Sequence, residues 1–321
     1  MNKERLLSQK LKEGSTRDGF GRALVELGKK NHDVVVLCAD VAESTRTHWF
    51  AQKYPDRFIE MGVSEQNMIG VAAGLAMEGK VPFATAYAVF SPGRTWDQVR
   101  VSVCYSKLNV KIIGCHAGLT VGADGATHQA LEDIALMRVL PNMTVIVPCD
   151  EHEAYKATIA AAHYPGPVYI RLTREKTPCI TSLKSSFEIG AASIIKQGSD
   201  VTIIGAGPLV HQALCAARDM EKEYGIHIQV MNMATIKPLD TEALRTVARK
   251  TRAFVTVEDH QKSGGLGSAI AEYMAQEYPI PIEMVGIDDT FGESGPADAL
   301  IEKYHLDSSA IMDALNRVLK K

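Results

Sequence analysis

No stretch of this sequence stays apolar for the ~18 residues that a membrane-spanning helix asks for. The charged start "MNKERLLSQKLKEG" also lacks the apolar centre of a secretory leader. Both absences point to a cytoplasmic protein and to no membrane partner. Paired cysteines are missing too: Cys38, Cys104, Cys115, Cys149, Cys179 and Cys215 are scattered, with no CxxC and no metal-ligand spacing. They read as buried, reduced thiols. Neither sign of charge is in excess, with 35 Lys and Arg against 38 Asp and Glu and a net charge of -3. Nothing in that balance favours nucleic acid. Internal repeats, low-complexity tracts and long Gly/Ser-rich linkers are absent as well, which leaves packed domains rather than tethered ones.

What is present fits an α/β protein of about two domains, since 321 residues meet a prior of roughly 150 per domain. The runs "DVVVLCAD", "VPFATAYAVF", "NVKIIGCHAG", "MTVIVPCD" and "GPVYIRL" alternate with amphipathic stretches. That is the pattern of a mostly parallel sheet covered by helices. The periodicity lapses between Thr173 and Asp200 and then resumes with "DVTIIGAG", "IHIQVMNM", "RAFVTVED" and "IPIEMVGI". The chain therefore divides into an N-terminal extension (1–15), a first α/β domain (16–175), a linker holding a small hairpin (176–198), and a smaller α/β domain (199–321).

Two places concentrate polar groups. In "IEMGVSEQNMIGVAAGLAMEGK" the pattern turns from loop to helix near Ser64, and Glu65 falls in the first turn, where the helix dipole favours a carboxylate. The small residues Gly62, Gly70, Ala72, Ala73 and Gly74 predict close packing of this helix and a buried Glu65 in need of a partner. The second place, "CHAGLTVGADGATHQALED", follows the strand "VKIIG" and precedes a helix expected to start near Gln129. Loops at the carboxyl ends of parallel strands are where α/β proteins hold ligands. This one carries His116, Asp124 and His128, with Gly118, Gly122 and Gly125 to turn the backbone. No metal is expected there, because neither histidine has a helical i, i+4 partner. Of the glycine patterns, "IIGAGPLV" gives only GxG and "SGGLGSAI" lacks the lysine of a phosphate-binding loop. A small anion at the start of the "GGLGSAIAEY" helix is the one use left for the second.

Taken in order, "GVSEQNM", "ATAYAVF", "GADGATHQ" and "IRLTR" resemble the pyrimidine-binding domain of transketolase. "VTVEDHQKSGGLGSAIAEY" and "ESGPADALIEKYHL" resemble the C-terminal domain of the same thiamine diphosphate enzymes, so the likeness runs from about Thr16 to near the end. The resemblance implies roles. Glu65 would hydrogen-bond a ring nitrogen of the cofactor's aminopyrimidine, Tyr87 and Phe90 would pack that ring, and Asp40 would lie near its thiazolium. His116 and Asp124 would contact the sugar, His128 would sit at the ketose's first hydroxyl in a catalytic position, and Arg17, Ser44 and Arg174 would hold a terminal phosphate. Two positions depart from the family: tyrosine replaces phenylalanine at Tyr87, and a further aromatic is replaced by Gly93.

The family's GDG motif and downstream asparagine, which hold Mg2+ and the diphosphate, do not occur in this sequence. The resemblance then implies a separate N-terminal transketolase subunit that supplies the magnesium ligands. It also implies self-association through the pyrimidine and C-terminal domains, in a heterotetramer with two copies of each subunit. The expected reaction moves a two-carbon ketol unit from a ketose phosphate to an aldose phosphate, as in the pentose phosphate pathway, with the chain inactive alone. Rival readings are a 1-deoxyxylulose-5-phosphate synthase-like subunit, which would place arginine where His116 stands, and a 2-oxo acid dehydrogenase beta-like subunit, which would lack Arg17, Ser44 and Arg174. A non-catalytic regulatory paralogue is the rival from outside the enzymes.

Overall fold

The computed structural model describes residues 11–321. Residues 1–10, most of the charged start and of the expected extension, lie outside the described residues. The strands are β1 (Glu13–Ser15), β2 (Val34–Cys38), β3 (Phe58–Glu60), β4 (Val81–Tyr87), β5 (Lys111–Cys115), β6 (Thr144–Ile146) and β7 (Val168–Arg171). They continue as β8 (Lys176–Pro178), β9 (Ser193–Lys196), β10 (Val201–Gly205), β11 (Ile228–Asn232), β12 (Thr235–Lys237), β13 (Phe254–Gln261) and β14 (Ile282–Ile287).

A seven-stranded sheet runs in the order β12-β6-β7-β5-β4-β2-β3, and a five-stranded sheet in the order β14-β13-β10-β11-β9. Each is parallel apart from one edge pair, β12 on β6 and β9 on β11. Central strands such as "VVVLC" are buried at every residue, as expected where helices cover both faces of a sheet. This is the two-domain α/β architecture that the alternation of strand and helix signals predicts.

Three local expectations fail. The linker forms no hairpin: β8 pairs with β1, and β9 becomes an edge of the second sheet. The two strands lie too far apart in sequence to be closed by a tight turn, so each found a distant edge. The helix expected near Gln129 starts only at Asp133, because the Gln129 side chain donates to the carbonyls of Leu119 (3.2 Å) and Glu293 (3.0 Å) and holds an irregular loop. Gly70 and Gly74 do not draw their helix against neighbours. Nothing lies within 4 Å of a Cβ added at either, and the buried face is made by Met68, Ile69, Ala72 and Ala73.

The halves share a core. Val145 and Val147 cluster with Met231, Met233 and Ile236, and β12 carries residues of the second half into the first sheet. Near the amino end, Ser15 caps the Thr16–Lys30 helix by accepting from the Asp18 amide (3.2 Å), while Lys29 and Lys30 meet the dipole at its last turn. The Thr173 amide donates to Thr16 Oγ1 at 2.8 Å. That bond pins the start of the helix, and with it Arg17, to the loop that follows β7.

Candidate active site

Parallel strands deliver their carboxyl ends to one edge of the sheet. Register sets Cys38 beside Thr85, Tyr87 beside Cys115 and Gly114 beside Arg171. The chain leaves that edge through Asp40 after β2, Tyr87 at the end of β4, His116 after β5 and Arg174 after β7.

Aromatic contacts join four of the expected residues, Tyr87, Phe90, His116 and His128. Tyr87 stacks on His116 with centroids 4.1 Å apart and lies near-parallel to Phe90 at 6.2 Å. The His128 ring meets Phe90 edge-on at 5.4 Å. His128 is fixed by its amide, which donates to the Gly125 carbonyl (2.9 Å), and by Thr127 Oγ1, 2.9 Å from Nδ1. His116 is 2% exposed and takes a left-handed φ of 55. Its Nδ1 is buried with no partner. Burial, followed by the positive charges of Arg17, Arg174 and Arg46, pushes its pKa down to about 3. The imidazole is therefore neutral, with a nitrogen left for a ligand.

Glu65 opens the Glu65–Met77 helix behind Ser64 and is 3% exposed. It does not cap that helix end. Arg94 Nη1 donates to its Oε2 at 3.1 Å, and the same guanidinium lies 4.7 Å from the centroid of the Phe90 ring. Arg94 was not foreseen, although a buried acid demands such a cation. A Cβ added at Gly93 would sit 2.6 Å from the Val89 carbonyl oxygen. That turn excludes any side chain where the family has an aromatic, and Arg94 covers the Phe90 face instead.

Arg174 donates to the Val121 carbonyl at 2.7 Å and approaches Asp124 Oδ2 at 3.4 Å. Arg17 donates to the Ser44 carbonyl at 2.9 Å rather than to its hydroxyl, and its Nε is buried without a partner. Burial and the nearby charge of Arg46 lower the Arg17 pKa. Arg46, a third cation missed in the sequence, is anchored on Asp18 Oδ1 at 2.6 Å. Asp40 takes none of these contacts; its amide donates to Glu60 Oε1 at 2.7 Å on the exposed rim.

No anion is needed at the Leu266–Glu277 helix. Buried Glu258 accepts from the amides of Leu266 (2.6 Å) and Gly267 (2.8 Å), and burial raises its pKa to about 7. The protein's own carboxyl fills the place expected for a ligand. Among the described residues, no group of three or more His, Cys, Asp or Glu could hold a metal ion, and no helix is long and apolar enough to cross a membrane.

A buried carboxylate, two ring faces and an unpartnered imidazole nitrogen suit a planar, hydrogen-bonding heterocycle such as an aminopyrimidine. Comparison with known proteins agrees. The model of the transketolase pyrimidine binding domain matches residues 12–179, and that of the transketolase C-terminal domain matches residues 190–311. A protein of Methanocaldococcus jannaschii, named provisionally as a transketolase C-terminal section, is 47% identical over 95% of this chain and 96% of its own length. A 6-deoxy-6-sulfo-D-fructose transketolase subunit of Clostridium sp. is 42% identical over 97% of each chain. A solved structure described as split gene transketolase, inactive beta4 tetramer, is 50% identical, with a TM-score of 0.90 over 95% of this chain and 98% of that one.

Proposed function

Because the chain belongs to the transketolase family, through both its pyrimidine-binding and its C-terminal domain, we propose that it is the C-terminal subunit of a split, thiamine diphosphate-dependent transketolase. It moves a two-carbon ketol unit from a ketose phosphate to an aldose phosphate in the cytoplasm. The observation that carries this reading is buried Glu65, linked through Arg94 to the ring cluster of Tyr87, Phe90, His116 and His128. The family-model limits also support a division of the chain near residues 175 and 199.

Thiamine diphosphate, when bound, would supply the nucleophilic carbon for ketol transfer. This chain supplies the surroundings. Glu65 holds a proton at a ring nitrogen of the aminopyrimidine, and Tyr87 and Phe90 pack its faces. Asp40 lends a carboxylate at the rim. His116 and Asp124 hydrogen-bond the sugar, and His128 handles the proton of the ketose's first hydroxyl. Neutral His116 can donate or accept there without the cost of burying a positive charge close to Arg17, Arg174 and Arg46. Magnesium and the diphosphate are held by an N-terminal partner subunit. Relatives of the same length named as a section and a subunit support a partner, and the tetramer of the 50% identical protein supports self-association.

Arg17 and Arg174, with Ser44, recognise a terminal phosphate. One observation favours a second reading of that end: the 42% identical relative is named for a sugar that carries a sulfo group there, and arginines accept either oxyanion. The test is ketol transfer by this chain, alone and mixed with an N-terminal partner, magnesium and thiamine diphosphate. Sugar phosphates and sulfo sugars are run as separate arms. Turnover should appear only in the mixture, and Glu65→Ala should lower it by roughly 10²–10⁴-fold, the usual worth of a positioned acid or base. Substantial activity in the chain alone would refute the split-enzyme reading, and unimpaired turnover with Glu65→Ala would refute the role of Glu65. No turnover in any arm would favour a non-catalytic paralogue.

A further inference from the structure

Arg94 makes two contacts at once. Its Nη1 donates to buried Glu65 at 3.1 Å, and its guanidinium lies over the Phe90 ring at 4.7 Å. The guanidinium is a planar, delocalised group whose nitrogens bear N–H donors. A carboxylate on its edge and an aromatic ring on its face are the contacts that the proposed site offers to an aminopyrimidine. We infer, on the thiamine diphosphate reading above, that Arg94 is a built-in stand-in for the cofactor's pyrimidine. It fills the pocket of the uncomplexed subunit and must swing out before the cofactor can reach Glu65.

The local geometry allows that swing. The Arg94 side chain is 50% exposed while that of Glu65 is 4% exposed, so the arginine covers the carboxylate from the solvent side. The main chain beneath it is tied down: the Arg94 amide donates to the Phe90 carbonyl (3.1 Å), and Gln66 Nε2 donates to the Arg94 carbonyl (3.1 Å). Opening the pocket therefore needs rotation of one half-exposed side chain and no rearrangement of the loop. Gly93 holds the turn that precedes Arg94, since a Cβ there would sit 2.6 Å from the Val89 carbonyl oxygen. The plug keeps Glu65 paired, where an unpartnered buried carboxylate would be costly. In exchange it lowers apparent cofactor affinity by the fraction of molecules that are closed.

The test uses the assembled complex, with thiamine diphosphate and magnesium as probes and intrinsic fluorescence as the signal, Trp96 lying two residues beyond Arg94. Arg94→Ala should speed cofactor association and tighten binding by about three- to tenfold, in proportion to the closed fraction it removes. In the subunit alone, the same variant should let a carbodiimide label Glu65 faster than in the wild type, read by mass spectrometry. If Arg94→Ala does not fold, Arg94→Lys retains the charge, loses the planar face and should shift binding the same way by a smaller factor. Unchanged or weaker cofactor binding in these variants would overturn the stand-in and make Arg94 a bystander or a cofactor ligand. Failure of the wild-type complex to bind thiamine diphosphate at all would instead overturn the cofactor reading beneath it.

Discussion

Tyr87 and His116 lie ring over ring, with centroids 4.1 Å apart and planes inclined by 23°. They come from neighbouring parallel strands, Tyr87 closing β4 and His116 following β5, so sheet register sets the stack directly. The consequence is electrostatic. An imidazole enclosed by an aromatic ring, protein interior and the charges of Arg17, Arg174 and Arg46 stays neutral well into acid.

That neutrality makes a stability prediction with a definite sign. In the unfolded chain His116 takes up a proton near its ordinary pKa of 6.5, while in the fold it resists protonation until about pH 3. Between those values the unfolded state binds more protons, so this residue's contribution is complete above pH 6.5 and falls as the solution is acidified. By pH 4.5 the loss should be roughly 2–3 kcal/mol. His116→Gln removes the titration, so the stability gap between wild type and variant should change by that amount between pH 7.5 and 4.5 in urea unfolding. A gap independent of pH would show that His116 titrates alike in both states.

The arginines should act on the substrate's charged end. Arg17 keeps a buried, unpartnered Nε and Arg174 flanks Asp124, an arrangement with donors to spare for an oxyanion. Arg17→Met or Arg174→Met in the assembled enzyme should raise KM for a phosphorylated ketose by roughly 10- to 100-fold, the worth of one charge-assisted hydrogen bond. KM for the same sugar without phosphate should change little. Equal losses on both substrates would assign these residues to the fold rather than to recognition.

The sequence made the sheet and the site residues legible for different reasons. Long apolar runs such as "VVVLC" and "VTIIG" carry an unambiguous strand signal, and Asp40, Tyr87, His116 and Arg174 lie at or just past the carboxyl ends of strands in the first sheet. Glu65 was readable as a buried acid, whereas Arg94 lies in a turn without periodicity, so nothing local announced that it would be the partner. β12 is three residues long, too short for any pattern. Glu258 was hidden by its position in a strand, since a carboxylate that turns to fill a helix start from a distant element leaves no local mark. Gly70 and Gly74 misled because small residues serve an open helix face as readily as a packed one.

The join between the two halves rests on a polar network that can be broken cleanly. Arg171 is 2% exposed and donates through Nε to Asp133 (2.9 Å), while its Nη2 donates to the carbonyls of Asp259 (2.7 Å) and Ala130 (3.1 Å). Tyr169 donates its hydroxyl to the same Asp133 carboxylate at 2.7 Å. One guanidinium thus ties the loop after β5 to the end of β13. Arg171→Met should cost about 3–5 kcal/mol, because it strands the buried Asp133 charge and two buried carbonyls. Asp133→Asn added to Arg171→Met should cost less than the sum of the two single changes, since the neutral amide has no charge left to strand. Denaturant unfolding of the four proteins in this cycle measures the difference. Strict additivity would mean that the two side chains do not stabilise each other, and Arg171 would then act through its bonds to the Asp259 and Ala130 carbonyls alone.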